Sequence, residues 1–129
     1  MADTPLASDG TEPAVPSPAR LYDYYLGGQH NYEVDRVAAE KLRGKMPELT
    51  EAAWANRGFH QRAARWMASR GVRQFIDIGS GLPTVGNTHE VVRQAVPGTR
   101  VVYVDSDPMV EMHSRHILKD QGAVGVIQA

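Results

Sequence analysis

Phe75-Ile76-Asp77-Ile78-Gly79-Ser80-Gly81-Leu82-Pro83-Thr84 decides the fold class. The stretch reads as a buried strand that carries an acid near its end and breaks into a glycine turn. A second apolar run, Val101-Val102-Tyr103-Val104, follows and ends on Asp105. Two such runs with a helical segment between them form a strand–helix–strand unit, the building block of a parallel sheet. A nucleoside-binding α/β half-domain needs this pair of features.

Downstream, the spacing predicts a short helix over about 87–96, closed by Pro97-Gly98. Asp107 and Pro108 supply an N-cap and a first-turn proline for a helix to about Lys119. Gly122 resets the chain, and Val124 to Gln128 reads as a third strand. Upstream, Tyr22 to Leu26 is an aromatic patch closed by Gly27-Gly28. Asn31 is placed to cap a helix to about Lys45, with Val34, Val37, Ala38 and Leu42 at helical spacing. Pro47 separates it from a helix over about 49–70, whose buried candidates are Ala52, Ala53, Phe59, Ala63, Trp66 and Met67. Gly71 suits its C-terminal cap. Residues 1–17, rich in Pro, Ala and acid without apolar periodicity, read as a disordered tail. The resulting division is a tail at 1–17, a helical cap at 18–71, and the first half of a Rossmann-like domain at 72–129.

Composition narrows the chemistry. The 129 residues suffice for one domain, and a 42% hydrophobic content permits a real core. The net charge of −1 leaves no electrostatic footprint for nucleic acid or an anionic membrane. The absence of cysteine excludes disulfides, thiolate catalysis and cysteine-based zinc sites. No apolar run reaches the length of a membrane span, and the N-terminus lacks the apolar core of a secretory signal. The expected location is therefore cytoplasmic.

The glycine pair Gly79 and Gly81 frees the backbone to turn sharply and to approach a ligand. A dinucleotide loop requires Gly-x-Gly-x-x-Gly, so that a pyrophosphate rests on a helix N-terminus. Thr84 stands at the third position, and Pro83 and Gly86 delay the helix. A ligand with adenosine but no phosphate fits this loop better, and S-adenosylmethionine is the common one. Asp105 can accept hydrogen bonds from both ribose hydroxyls, a property that either cofactor class would use. A plain β–α turn, with Asp105 as a solvated helix cap, is the bland alternative.

Asn56-Arg57 lies inside a helix, where Asn is unfavourable, so a contact with cofactor or substrate competes with a solvated face. Tyr22, Gly27 and Gly28 either line a pocket or close a helix end. Among the five histidines, His113 and His116 share a helix face without a third ligand nearby, and no metal site is expected. Glu90 reads as a first-turn acid rather than a base.

The blocks Ala19 to Gly28 with Asn31-Tyr32 and Asp35-Arg36, Asn56-Arg57-Gly58-Phe59, Phe75 to Thr84 with Gly86 to Val91, and Val101 to Pro108 together carry a resemblance. They resemble the actinobacterial S-adenosylmethionine-dependent methyltransferase family once catalogued as a domain of unknown function. The resemblance runs from about Ser17 to the end of the chain. It implies a class I, Rossmann-like α/β fold with a helical cap, S-adenosylmethionine as cofactor, and methyl transfer to an unassigned acceptor. Asp77, Gly79, Ser80 and Gly81 would match the cofactor loop. Asp105 would match the ribose-binding acid, with Ser106 and Asp107 beside the adenosine.

The sequence supplies about three strands, so the expectation is a partial fold in which the first strand is an exposed edge prone to self-association. The leading expectation is a methyltransferase or its N-terminal portion. The alternatives are a non-catalytic nucleoside-binding or assembly module, and an NAD-dependent oxidoreductase fragment. No residue stands out as a catalytic base.

Overall fold

The computed structural model describes residues 12–129. Its elements run α1 (Pro18–Tyr25), α2 (Glu33–Lys45), α3 (Leu49–Ser69), β1 (Gln74–Ile78), α4 (Thr88–Ala95), β2 (Arg100–Asp105), α5 (Pro108–Leu118) and β3 (Val124–Gln128). The three strands form one parallel sheet in the order β1-β2-β3. Phe75 pairs with Val101, and Val101 with Val124. Parallel neighbours demand crossovers, which α4 and α5 provide. This is the expected partial Rossmann-like α/β arrangement of three strands and flanking helices.

The sheet core joins Ala64 and Ala68 of α3, Val91 and Val92 of α4, and Val101, Tyr103 and Val126 of the sheet, with Leu118 of α5. Full burial of a Val or Leu side chain is worth roughly 1.5–3 kcal/mol, so this cluster anchors α3 and α4 to the strands. A second cluster of Tyr25, Leu26, Ala39 and Ala53 holds α1 against α2 and α3. Tyr25 Oη donates to the Ala39 carbonyl at 3.0 Å, so the buried phenol is satisfied.

Several local expectations are corrected. The segment 18–25 is a helix rather than only an aromatic patch, started by Pro18 in its first turn. Asn31 does not cap α2. Tyr32 holds the cap position, and Asp35 at the third helical position accepts the Tyr32 N–H at 2.9 Å. Asn31 instead donates to Asp23 at 2.8 Å and to the Gly28 carbonyl at 2.9 Å. The buried face of α2 runs through Asp35 and Ala39, while Val37 and Leu42 are exposed. In α3 the buried positions are Ala53, Ala64 and Ala68. Ala52, Phe59, Trp66 and Met67 are exposed. Of the six candidates only Ala53 is buried as expected, and small alanines rather than large side chains face the core.

The expected tail at 1–17 lies outside the described residues as far as residues 1–11. Its last residues are held in place: the Ser17 N–H donates to Asp35 at 3.0 Å, and Arg20 donates to the Val15 carbonyl at 2.8 Å. Arg20 also pairs with Asp35 at 2.7 Å in a buried contact. His30, in the α1–α2 turn, donates through Nδ1 to the Pro83 carbonyl at 2.6 Å. That bond ties the N-terminal helices to the loop after β1.

Candidate functional site

The loop after β1 is built around the end of β2. Gly79 and Gly81 adopt positive φ (68° and 63°), a conformation costly for any residue with a Cβ. The N–H groups of Gly79 and Ser80 both donate to the Val104 carbonyl, at 2.8 and 3.1 Å. The Gly81 N–H donates to Asp105 Oδ2 at 2.9 Å. Asp107 donates its N–H to Asp105 Oδ1 at 3.0 Å. The Asp107 side chain in turn caps α5 by accepting the Met109 N–H at 2.8 Å. Asp105 therefore joins the two loops at the C-terminal edge of the sheet, where open α/β sheets bind ligands.

A cleft of about 750 Å³ opens beside this carboxylate. Ser17 to Ala19 and Tyr22 border it from the N-terminal side, α3 from above, and β1 with Gly79-Ser80-Gly81 from below. Among the residues singled out in the sequence, Tyr22, Asn56, Arg57, Asp77, Gly79, Ser80, Gly81, Asp105 and Asp107 all border it. Gly27, Gly28 and Ser106 do not. Gly27 and Gly28 form the turn after α1, where the Gly28 N–H donates to the Asp23 carbonyl at 2.8 Å. Ser106 is exposed.

Tyr22, Asn56 and Arg57 act as a group. Asn56 donates to the Tyr22 hydroxyl at 2.9 Å, and the Arg57 guanidinium lies 5.5 Å from the Tyr22 ring centre. Arg57 also reaches the Thr84 hydroxyl at 3.5 Å, while its Nε is buried without a hydrogen-bond partner. A buried, unsatisfied guanidinium donor at a cleft wall is a group that a ligand oxygen would satisfy.

Asp77 has partners that the sequence reading missed. Thr88 donates to Asp77 Oδ2 at 2.7 Å, and His60 Nε2 lies 3.0 Å from the same hydroxyl and 3.7 Å from Asp77. With the hydroxyl proton directed at the carboxylate, His60 donates its Nε2–H to Thr88. Burial lowers the His60 pKa against the opposing pull of Asp77, so the ring is neutral at pH 7. His60 follows Asn56 by four residues, on the same face of α3, and that spacing was its available signal.

Thr84, standing where a dinucleotide loop has glycine, is buried. Its N–H donates to Asn87 Oδ1 at 2.9 Å, and Asn87 returns a bond to its carbonyl at 3.2 Å. The longer loop is thus braced by an amide side chain rather than by a third glycine. Among the described residues no three His, Asp or Glu side chains converge on a metal position. No helix among them is long and apolar enough to cross a membrane.

Residues 6–129 match a family model described as S-adenosyl methyltransferase. Two solved structures share the fold. One is a "putative methyltransferase" from Thermobifida fusca YX, 46% identical, with a TM-score of 0.82 over 89% of this chain and 44% of that one. The other is a DUF574 family protein from Streptomyces avermitilis MA-4680, 38% identical, with a TM-score of 0.79 over 89% of this chain and 45% of that one. The chain thus spans less than half the length of these solved relatives. No curated protein matches it.

Proposed function

The chain belongs to the S-adenosyl methyltransferase family, and from that premise we propose that it holds S-adenosylmethionine in the cleft beside Asp105 and serves methyl transfer to an acceptor. The observation that carries this reading is the Asp105 carboxylate at the end of β2, fixed by the Gly81 and Asp107 N–H groups at the mouth of the cleft. Each carboxylate oxygen accepts one backbone bond there and retains capacity for a ribose hydroxyl.

The residues fit this cofactor. The cleft volume lies within the roughly 300–1,000 Å³ usual for small-molecule sites. A Cβ at Gly79 would point into open space, so the cleft floor there is bare backbone that a ligand can approach. Asp77 and Asp105 place negative charge where a cationic sulfonium gains from it. The unsatisfied Arg57 Nε offers a donor for the cofactor's carboxylate. When bound, S-adenosylmethionine supplies an electrophilic methyl group.

The chain's own contribution is positioning. Asp105 orients the ribose, Gly79 to Gly81 set its depth, and Tyr22, Asn56 and Arg57 close the cleft from the α1 and α3 side. Holding two reacting groups in line accounts for a large part of such a rate enhancement.

Calorimetry of the purified chain with S-adenosylhomocysteine and with NAD tests this reading. Binding of S-adenosylhomocysteine alone is expected. Binding of NAD alone would overturn the cofactor assignment, and binding of neither would overturn its assignment to this chain by itself.

A further inference from the structure

Ser17, Pro18 and Ala19 form the N-terminal wall of the cleft. A Cβ at Gly81 would lie 3.9 Å from the Ala19 Cβ, so this wall packs beside the glycine loop. Gly81 is itself bonded to Asp105. The wall therefore flanks the carboxylate that the cofactor reading gives to a ribose.

A buried charged pair fixes this wall from behind. Arg20 donates to the Val15 carbonyl at 2.8 Å, and Asp35 accepts the Ser17 N–H at 3.0 Å. Opposite charges thus grip the strap at Val15 and at Ser17. Arg20 and Asp35 hold each other at 2.7 Å. The Tyr32 N–H gives Asp35 a further bond at 2.9 Å, and the Arg20 guanidinium lies 5.5 Å from the Tyr32 ring centre. Asp35 therefore joins the strap, α1 and the start of α2. Neither Arg20 nor Asp35 borders the cleft.

Stability alone does not call for such a pair. Desolvation offsets much of the attraction between buried charges, and an apolar pair of equal volume often folds a protein as well. An apolar pair could neither donate to Val15 nor accept from Ser17. The charges add direction, because they fix the main chain immediately before Pro18. Pro18 is stiff at φ, so the fixed point carries into the wall. A wall ordered in advance spares a ligand the entropy of ordering it.

We propose that Asp35 is a positioning residue for ligand binding: through Ser17 it holds the Val15–Ala19 strap as a preformed clamp against the nucleoside part of the ligand. The proposal rests on the reading of the cleft as a nucleoside site. The coupling is reciprocal. A bound ligand steadies the strap, and a freed strap weakens the ligand.

The test uses the full chain with Arg20→Met and Asp35→Leu together. One charge of each sign is removed, so the net charge of −1 is unchanged. The double variant should unfold in urea near the parent midpoint, since the buried charges leave as a pair. It should nevertheless bind S-adenosylhomocysteine about tenfold more weakly in calorimetry, the scale of a lost hydrogen bond to a charged group. In the parent, saturating ligand should slow exchange of the Ser17 amide at least about tenfold, and the double variant should lose this slowing.

A double variant as stable as the parent and equal to it in affinity would overturn the proposal. If the double variant unfolds early, Ser17→Pro deletes the N–H donor and leaves Arg20 and Asp35 paired. The same loss of affinity is expected there, and parent affinity would overturn the proposal. A parent that binds no S-adenosylhomocysteine overturns the cofactor reading instead. The strap is then judged without ligand: faster Ser17 exchange in a folded double variant supports it, and equal exchange overturns it.

Discussion

Gly81 and Asp105, 24 residues apart, are joined by a 2.9 Å hydrogen bond from the glycine N–H to the carboxylate. It closes the glycine loop onto the end of β2 and presets the carboxylate at the cleft mouth before any ligand arrives. A charged acceptor on backbone donors forms a stronger bond than a neutral one, so this contact ties the two loops together firmly.

Asp105→Ala should therefore weaken S-adenosylhomocysteine binding by roughly 10–100-fold, the equivalent of losing bonds to a charged group worth about 1.5–3 kcal/mol. Asp105→Asn keeps one acceptor oxygen and should fall between the two. Calorimetry checks this series; equal affinity for all three proteins would remove Asp105 from the site.

Thr88 links His60 to Asp77 through one hydroxyl. Thr88→Val keeps the shape and deletes the link, which should cost about 1 kcal/mol because a partly buried carboxylate loses its donor. Thermal unfolding should show a lower midpoint for Val and recovery in Thr88→Ser. A Ser variant as unstable as Val would mean that packing of the methyl group, not the hydroxyl, holds this corner.

Arg20 and Asp35 are 5% and 0% exposed at their side chains, and Asp35 also accepts the Ser17 and Tyr32 N–H groups. Asp35→Ala leaves a buried guanidinium unpaired and should cost about 3–5 kcal/mol in urea unfolding. The paired replacement Arg20→Met with Asp35→Leu should recover much of that loss. A double variant no better than the single would show that the backbone bonds to Asp35 matter more than the ion pair.

Acid should destabilise the chain. Burial lowers the pKa of His60, His89 and His113 below the usual 6.5, and for His113 the Arg20 cation adds to the effect. As pH falls through 6.5 the unfolded chain takes up protons that the folded one resists, so stability drops until the lowered folded values are reached. Asp23, raised by burial, works in the opposite direction at lower pH. The melting temperature should thus decline from pH 7.5 to 5.5. His113, whose ring nitrogens are buried without partners, should account for part of it, so His113→Leu should flatten the slope. An unchanged slope would place the acid response elsewhere.

The strand–helix alternation was legible because its signals are local. Phe75 to Ile78 and Val101 to Val104 announce strands, Gly79 and Gly81 announce a turn, and Asp107-Pro108 announces a helix start. The helix at 18–25 carried a local signal as well, Ser17-Pro18, which the dense tyrosines beyond it obscured. The phase of the helices was not legible. Phe59, Trp66 and Met67 form a periodic apolar stripe, but periodicity reports that a face seeks cover, not that cover is present. Small Ala64 and Ala68 took the core positions because close approach of α3 to α4 leaves room for little else.

From its sequence alone, this protein's class of fold and its glycine turn after β1 could be derived, because both depend on neighbours within a few residues. Three features belong to the tertiary structure alone: the Asp105 carboxylate received by Gly81, the convergence of His60, Thr88 and Asp77, and the cleft between α3 and β1. Each depends on groups distant in the chain being brought within hydrogen-bond or van der Waals reach, and only the packing of α3, α4 and the sheet sets those distances.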